Sequence, residues 1–349
     1  MNDQRKTFIA FVKLGTFFRE FCNGNISGSE WHKTFTEVIA LAKHHNGWFT
    51  EENIHYALMG WGELLTDEKL SAWLSNYSVE VNKSKTVAII MAGNIPLVGF
   101  HDFLSVLITG NAVLAKLSSN DKTLFPLIAK YLMEIEPSLK GKITFTEEKL
   151  ENFDAVIATG SNNTARYFEH YFSKGPNIIR RNRNSIAVLT GNETPQELAA
   201  LGEDIFRYYG LGCRSVSKLF VPQEYDFDVF FEAIYEFNPI IQQAKYANNY
   251  DYNKAVYLMS DFKILENGFL MLKEDSSYSS PIASVFYETY NSSEELKRKL
   301  NIEAEKIQCI VAKGFVEGEI SFGQTQRPEL KDYADGIDTV DFLLKTSQI

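Results

Sequence analysis

The sequence predicts an α/β protein with a doubly wound sheet and a helical segment at its N-terminus. Short apolar runs, of the kind that form buried parallel strands, alternate with helical patterns from residue 86 to residue 190. Ahead of them, residues 1–80 carry aromatic and aliphatic side chains at helical spacing, for example Phe8, Phe11 and Leu14. Strands that alternate with helices in this way build a sheet covered by helices on both faces.

The predicted elements follow one another in a regular order. The strands predicted for the first region are residues 86–91, 112–116, 142–146, 154–159 and 185–190. The helices predicted between them are residues 100–109, 121–133 and 162–172. A second region begins near Gly191, with a helix over residues 195–209 that Thr194 caps. The strands predicted for this second region are residues 218–221, 254–259, 282–287 and 307–312.

The composition argues against several classes of function. The 349 residues carry a net charge of −10, which disfavours a bulk electrostatic grip on nucleic acid. The three cysteines lie far apart and form no CxxC pair, so we expect no disulfide framework and a reducing, cytoplasmic location. No apolar stretch reaches membrane length, and the six histidines show no metal-ligand spacing. We therefore expect neither a membrane span nor a metal site.

Cys213 is the most informative residue of the chain. It follows Gly210 and Gly212, between a predicted helix and an apolar, strand-like run. Two glycines so close to a cysteine allow a tight backbone path and leave the sulfur little steric cover. A cysteine kept only for packing needs neither glycine, so Cys213 is a candidate nucleophile.

Further patterns stand where predicted strands end, at the edge where open α/β sheets bind their ligands. Asn94 follows the first strand and would offer an amide N–H donor, or else stabilise its turn. Lys116 ends the second strand and would reach an anion such as a phosphate, or else extend to water. Gly160 and Ser161 end the fourth strand and open a helix, which suits an anion and equally a plain N-cap. Residues 180–183 are rich in arginine and would meet a phosphate or form a solvated basic loop.

Together these motifs resemble the aldehyde dehydrogenase superfamily and, within it, the acyl-CoA reductase (LuxC-type) family. The motifs stand in the family's order: Gly-Asn-Ile-Pro from residue 93, Thr-Gly-Asn-Ala-Val-Leu-Ala-Lys from residue 109, Thr-Gly-Ser from residue 159 and Gly-Leu-Gly-Cys from residue 210. The Phe-Gly-Gln-Thr-Gln-Arg-Pro run from residue 322 is similar to the family as well. The resemblance spans residues 80–349 and implies an aldehyde-dehydrogenase-like fold with a cofactor domain and a catalytic domain.

The resemblance also implies roles for individual residues. Cys213 is expected to be the nucleophile and acyl carrier, and Asn94 to form an oxyanion hole with the Cys213 backbone N–H. The residues expected to hold a nicotinamide dinucleotide are Lys116, Ser119, Gly160 and Ser161. Relatives that prefer NAD often carry a glutamate at the position of Ser119, whereas a serine can donate to a 2′-phosphate. We therefore expect NADPH as the cofactor, with NADH as the alternative.

One departure from the superfamily bears on the reaction. Oxidising members carry a water-activating glutamate just ahead of the strand predicted at residues 185–190, but residues 180–184 hold no carboxylate. A second glutamate, expected ahead of Pro281, is also missing, and the nearest acids are Glu274 and Asp275. Acyl exchange with an external thiol needs no such base, because a thiolate is both a good nucleophile and a good leaving group. Reduction of an acyl thioester therefore fits the chain better than oxidation of an aldehyde.

The resemblance implies NADPH-dependent reduction of a long-chain fatty acyl-CoA, or of an acyl carrier thioester, to the fatty aldehyde. The alternatives are a short-chain CoA-acylating aldehyde dehydrogenase and a non-catalytic binding subunit. The expected regions are a helical segment (1–80), a dinucleotide-binding domain (81–190), a catalytic domain (191–310) and a C-terminal segment that packs back on the core (311–349). A homo-oligomer is left open, because the dimerising hairpin usual in the superfamily is shortened at residues 78–85.

Overall fold

The computed structural model describes residues 3–78 and 83–347, and the chain divides into two compact units. The first unit runs up to Arg181 and also includes the segment from Glu329 onward, whereas the second unit is Asn182–Pro328. The region boundary expected at residue 80 and the middle of the shortened hairpin fall on residues 79–82, which lie outside the described residues.

The N-terminal segment is helical, as predicted. Its helices are α1 (Asp3–Cys22), α2 (Glu30–His45), α3 (Glu51–Leu64) and α4 (Asp67–Leu74). Helices α2, α3 and α4 each begin after an N-cap residue whose hydroxyl accepts a hydrogen bond from a backbone N–H of the first turn. These N-cap residues are Ser29, Thr50 and Thr66. The aromatic residues of α1 face inward, and the ring of Phe17 lies 4.7 Å from that of Phe35 on α2.

The sheet of the first unit is parallel and doubly wound, which confirms the predicted fold class. Its strands are β1 (Thr86–Ile90), β2 (Ala112–Lys116), β3 (Ile143–Thr146), β4 (Ala155–Thr159) and β5 (Asn177–Arg180). Helices α5 (Phe100–Ile108), α6 (Leu124–Ile135) and α7 (Asn162–Phe172) connect these strands. The strands lie in the order β3-β2-β1-β4-β5, so the winding direction reverses between β1 and β4.

The second unit has its own sheet. Its elements are β6 (Asn184–Val188), α8 (Pro195–Phe206), β7 (Val216–Pro222), α9 (Phe227–Ala233), α10 (Ala244–Met259), β8 (Ile264–Glu266), β9 (Met271–Glu274), β10 (Ser284–Tyr290), α11 (Ser293–Ile302) and β11 (Ile307–Val311). The strands lie in the order β11-β6-β7-β10-β9-β8, with all pairs parallel except β8 with β9. One face packs on α8, where Leu201 and Ile205 meet Leu219 and Val285.

Two of the predicted strands differ from the structure. The prediction of a strand at residues 254–259 is wrong, because these residues form the end of α10. Tyr250, Asn253 and Tyr257 are buried at helical spacing, and a short apolar run cannot by itself distinguish strand from helix. The strand near residue 185 pairs in the second sheet, and the first sheet is completed instead by β5, which the sequence analysis missed. The division therefore falls at Arg181, ahead of the boundary expected at residue 190.

The segment after Glu329 is fixed to the first unit by buried polar groups. It ends in α12 (Thr339–Thr346). Arg180, at the end of β5, donates to both carboxylate oxygens of Asp102 on α5, at 2.6 and 2.7 Å, and to Thr339 Oγ1 at 3.1 Å. The side chains of Arg180 and Asp102 are 8% and 3% exposed. A single buried ion pair thus joins a strand end, a helix and the C-terminal helix.

No helix within the described residues has the length and apolar character needed to cross a membrane.

Replacing Asp102 by alanine should destabilise the first unit by about 3 kcal/mol or more, because Arg180 is left buried without its counter-charge. Urea unfolding followed by tryptophan fluorescence measures this loss, since all four tryptophans lie in the first unit. Glu169→Ala is the matched control, because it removes the exposed carboxylate paired with Arg181 and should cost less than about 1 kcal/mol. Equal losses in the two variants would contradict the role assigned to the buried pair.

Candidate active site

The loops after β1, β2 and β4 emerge at one edge of the first sheet. Ile90, the last residue of β1, pairs with Lys116 on one side, and the same strand pairs through Ala158 of β4 on the other. Because these strands are parallel, their carboxyl ends are level. The reversal of strand order between β1 and β4 opens the crevice in which sheets of this type bind ligands.

The predicted residues of the first unit lie along this edge. Asn94 is half-buried in the loop after β1, and Ser119 is exposed in the loop after β2. Gly160 and Ser161 form the turn between β4 and α7. The loop of Asn94 and the turn of Gly160 and Ser161 therefore flank the point of reversal, whereas Ser119 lies one strand further out.

Asn46 ties the two loops beside β1 together, and the sequence analysis missed it. It is buried at the C-terminal end of α2, and its Nδ2 donates to the backbone oxygens of Gly93 and Asn120, both at 3.4 Å. The loops are so close that a Cβ at Gly93 would stand 2.6 Å from Cβ of Ser118. An asparagine that ends a helix is readable from sequence, but its partners 47 and 74 residues away are not.

Lys116 and Ser161 already have structural partners. The Lys116 ammonium donates to the backbone oxygen of Glu148, in the loop after β3, at 3.0 Å. Ser161 is the N-cap of α7, and its Oγ accepts from the Thr164 N–H at 3.3 Å. A Cβ at Gly160 would stand 3.0 Å from Cβ of Thr164 and 3.1 Å from the ring of Phe168, so the turn packs tightly on its own helix. Ser161 is therefore an N-cap in the structure, and the first-turn N–H groups of α7 lie at this edge of the sheet.

Cys213 is exposed in a tight turn directly ahead of β7. The turn is closed by the Ser215 N–H, which donates to the Gly212 oxygen at 3.0 Å. The backbone oxygen of Cys213 accepts from Ser185 Oγ at 2.9 Å. Of the three cysteines, all within the described ranges, Cys22 is half-buried and Cys309 is buried. Burial raises the pKa of the Cys22 thiol to about 11. Cys213 is therefore the most exposed of the three cysteines.

A left-handed backbone turn precedes Cys213. The helix predicted to reach residue 209 ends at Phe206, and Tyr208, Tyr209 and Gly210 follow with φ angles of 55°, 59° and 74°. Glycine adopts this conformation freely, but each tyrosine is strained by about 1 kcal/mol or more. Strain of this kind persists only where the surrounding structure fixes the backbone, so the approach to Cys213 is a defined turn.

A β-bulge follows Cys213 on β7. Ser185 of β6 pairs with Val216 and Ile186 pairs with Lys218, so Ser217 is the extra residue. The Ser217 hydroxyl donates to the backbone oxygen of Tyr278 at 2.7 Å. This bond holds the chain between β9 and β10 against β7.

The cations near Cys213 in sequence are held by other partners. Arg214 donates from Nε to the backbone oxygen of Thr325. Lys218 is fully buried. Its ammonium donates to the backbone oxygen of Asp275 and lies 3.2 Å from Glu288 Oε2. Burial lowers the pKa of Lys218, and the Glu288 carboxylate opposes this shift. Both side chains therefore organise the frame around the Cys213 turn.

Of the arginines at residues 180–183, Arg180 departs from the solvated basic loop that the sequence allowed, whereas the side chain of Arg181 is 64% exposed. Arg180 is buried in its ion pair with Asp102, and Arg181 donates to Glu169 on α7. The sequence showed the charges of these side chains but not their distant counter-charges.

Within residues 3–78 and 83–347, no three His, Cys, Asp or Glu side chains come together as metal ligands.

The acyl-CoA reductase (LuxC) family matches residues 45–306. The chain belongs to this family. No curated protein matches it significantly in sequence. As a member of the acyl-CoA reductase family, the chain is of the oxidoreductase type that acts on an acyl or aldehyde group.

Solved aldehyde dehydrogenases share the fold of this acyl-CoA reductase family member. Aldehyde dehydrogenase 21 from Physcomitrella patens, solved with succinate, has a TM-score of 0.68 at 11% identity, over 99% of this chain and 84% of its own. Indole-3-acetaldehyde dehydrogenase AldA from P. syringae, solved as a mutant with NAD+ and IAA, has a TM-score of 0.62 at 14% identity, over 89% and 72%. An aldehyde dehydrogenase from Bacillus cereus, solved with NAD+, has a TM-score of 0.61 at 13% identity, also over 89% and 72%. These likenesses confirm the predicted aldehyde-dehydrogenase-like fold.

Gly93→Ala should destabilise the first unit by about 1–3 kcal/mol, because the new methyl group overlaps Ser118 and forces the loops after β1 and β2 apart. Gly60→Ala is the matched control, since Gly60 lies inside α3 with open space around it. That control should stabilise the unit by about 0.5–1 kcal/mol through helix propensity. Urea unfolding followed by tryptophan fluorescence measures the change in the free energy of unfolding, which should have opposite signs in the two variants. A Gly93→Ala protein as stable as the wild type would show that the loops can accommodate the methyl group.

Proposed function

We propose that the chain is an NADPH-dependent reductase that converts a long-chain fatty acyl thioester into the fatty aldehyde, with the acyl group carried on Cys213. The observation that carries the proposal is the exposed Cys213 thiol, in a glycine-bounded turn of an acyl-CoA reductase family member. The acyl donor is acyl-CoA or an acyl carrier thioester. In this proposal the first unit holds the dinucleotide and the second holds the acyl group.

The proposed reaction runs through one covalent bond to the protein. The Cys213 thiolate attacks the carbonyl carbon, the new carbon–sulfur bond forms, and the bond to the donor sulfur breaks to release a thiolate. NADPH supplies a hydride to the acyl carbon when it is bound. The resulting thiohemiacetal on Cys213 then collapses, which breaks the bond to Sγ and releases the aldehyde. Overall one thioester, one NADPH and one proton give one aldehyde, one thiol and one NADP+.

The stretch ahead of β6 supports reduction over hydrolysis. Residues 180–184 contain no carboxylate that could activate water. The nearby Glu169 carboxylate accepts two hydrogen bonds from Arg181, at 3.1 and 2.5 Å. An acyl group on Cys213 would therefore meet no general base from this stretch.

The first unit offers side chains that fit a nicotinamide dinucleotide. The 11-residue helix α7 begins at the ligand-binding edge, and Gly160 keeps the backbone ahead of it free of a side chain. The Lys116 ammonium lies at the same edge of the sheet and would pair with a phosphate or ribose oxygen. Ser119 is exposed in the loop after β2 and would donate to a 2′-phosphate, which supports NADPH over NADH.

Incubation with tetradecanoyl-CoA should add one acyl group to Cys213, and NADPH should discharge it as tetradecanal. Intact-protein mass spectrometry measures the adduct, and gas chromatography measures the aldehyde. Cys213→Ala should abolish both, whereas Cys22→Ala, the matched control, should retain them. Discharge should be faster with NADPH than with NADH, and labelling should be faster from tetradecanoyl-CoA than from acetyl-CoA. A wild-type protein that is never acylated would refute the proposal, and a preference for acetyl-CoA would favour the short-chain alternative.

Asn94→Ala should lower kcat for acyl reduction about a hundredfold, because the proposed Nδ2 donor to the carbonyl oxygen contributes about 3 kcal/mol in the transition state. Asn94→Asp is the matched variant of similar size, and its carboxylate should impair the reaction at least as much. Steady-state rates at saturating thioester measure the effect, and tryptophan fluorescence verifies that both variants fold. Full turnover in either variant would remove Asn94 from the mechanism.

A further inference from the structure

A loop at residues 322–327 contacts the turn that carries Cys213. The Nε2 group of Gln326 donates to Ser215 Oγ at 3.3 Å, and Arg214 Nε donates to the backbone oxygen of Thr325. Arg214 and Ser215 directly follow Cys213 in the chain. The loop is therefore bonded to both residues after the thiol.

Asp204 fixes this loop from behind. It lies in the last turn of α8, is 0% exposed, and accepts three hydrogen bonds from the loop. Its Oδ2 accepts from the Gly323 N–H at 2.7 Å, and its Oδ1 accepts from the Thr325 N–H and hydroxyl, both at 2.9 Å. A buried carboxylate is costly without partners, so these donors and Asp204 depend on one another.

The loop also packs closely against α8. Gly323 has a φ of 79°, and a Cβ there would stand 3.1 Å from Cβ of Ala200 and 3.3 Å from its oxygen. Only glycine meets both conditions without strain. The approach of the loop to α8 is therefore defined by packing as well as by hydrogen bonds.

We propose that Asp204 is a positioning residue for Cys213: it holds the loop at residues 322–327, and the loop holds the turn from which the Cys213 side chain projects. The inference rests on the proposed function for its effect on acyl transfer. Its effect on the reactivity of the thiol does not need that function. A nucleophile displaced by about 1 Å can lose on the order of a hundredfold in rate, so support from outside the turn matters.

The charge state of Asp204 supports this role. Burial raises the pKa of Asp204 to about 6, whereas the hydrogen bonds from Thr325 and Gly323 act to lower it. The Glu203 carboxylate, next to it on α8, also raises the pKa and is itself paired with Arg207 at 2.5 Å. Two arginines also belong to these surroundings: Arg214, which donates to the backbone oxygen of Thr325, and Arg327 of the loop itself. Asp204 therefore changes its charge near pH 6 in the folded protein. Protonation weakens its hydrogen bonds to the loop but also removes the cost of burying the charge. Because the pKa is raised overall, acid should alter the contact with the loop without favouring its release.

Asp204→Asn tests the proposal with a side chain of the same shape. Its amide accepts on one side only and turns an N–H group against one of the backbone donors. Two measurements apply: hydrogen exchange of the peptide spanning residues 320–330, and the rate of Cys213 alkylation by iodoacetamide from pH 5 to 9, read on the Cys213 peptide. In the variant, the Gly323 and Thr325 amides should exchange about tenfold faster or more. The alkylation rate at pH 7.5 should change about fivefold or more. The inflection near pH 6 expected for the wild type should disappear.

Thr325→Val and Thr325→Ser provide a smaller, matched pair. The valine removes one hydrogen bond to Asp204 and should shift the alkylation rate in the same direction by about twofold, whereas the serine keeps the hydroxyl and should restore it. Glu197→Gln is the control on the same helix, since Glu197 accepts from Thr194 and pairs with Lys313 at the other end of α8. Glu197→Gln should leave the hydrogen exchange of the loop and the pH profile of Cys213 alkylation unchanged.

The outcomes separate this inference from the proposed function. If loop exchange rises in Asp204→Asn and Thr325→Val while the alkylation rate and its pH profile stay as in the wild type, the loop is only a scaffold and the proposal is overturned. Unchanged loop exchange would overturn it as well. Iodoacetamide requires neither thioester nor cofactor, so a wild-type protein that fails to accept an acyl group would refute the proposed function and still leave this test decisive. Where acylation does occur, Asp204→Asn should slow it about tenfold or more.

Discussion

Parallel pairing along β1 is the constraint on which the candidate site of the first unit depends. Because β1 pairs in parallel with both β2 and β4, three loops leave the sheet at the same edge, and each must return by a helix before the next strand begins. The polar groups at this edge are therefore brought together by backbone hydrogen bonds rather than by their own interactions. Asn46 then adds the local adjustment, by fixing two of the loops to each other.

Much of this arrangement is predictable from the sequence, and the failures have physical causes. Apolar runs located β1 to β4, because strands buried on both faces need continuous hydrophobic residues. β5 reads Asn-Ile-Ile-Arg, so its two apolar residues form neither a continuous apolar run nor an alternating pattern. Residues 254–259 were misassigned because apolar residues there lie on the exposed face of α10. Motifs at strand ends indicated Asn94 and Gly160, and the glycines ahead of a strand indicated Cys213, since these patterns are local. The contacts of Asp204 and Asn46 could not be predicted, because their partners lie between 47 and 121 residues away.

The buried charges of the chain fall into two kinds with different consequences. Arg180 and Asp102 neutralise each other, so removing either side chain leaves the other as an unpaired buried charge that destabilises the fold. Asp204 is balanced by neutral N–H and O–H donors from a single loop. The first kind joins two charged side chains, whereas the second depends on one carboxylate, whose pKa burial raises to about 6. The loop beside Cys213 belongs to the second kind.

The first unit is discontinuous in sequence, and this affects how the chain can fold during synthesis. The second unit, Asn182–Pro328, is contiguous, and all its contacts are available once it has left the ribosome. Thr339, a partner of Arg180, is made later than the whole of that unit. The N-terminal part of the first unit therefore lacks its C-terminal segment until the whole second unit has been synthesised. Chaperone dependence during translation should accordingly be concentrated on the half that contains the N-terminal helices and the first sheet.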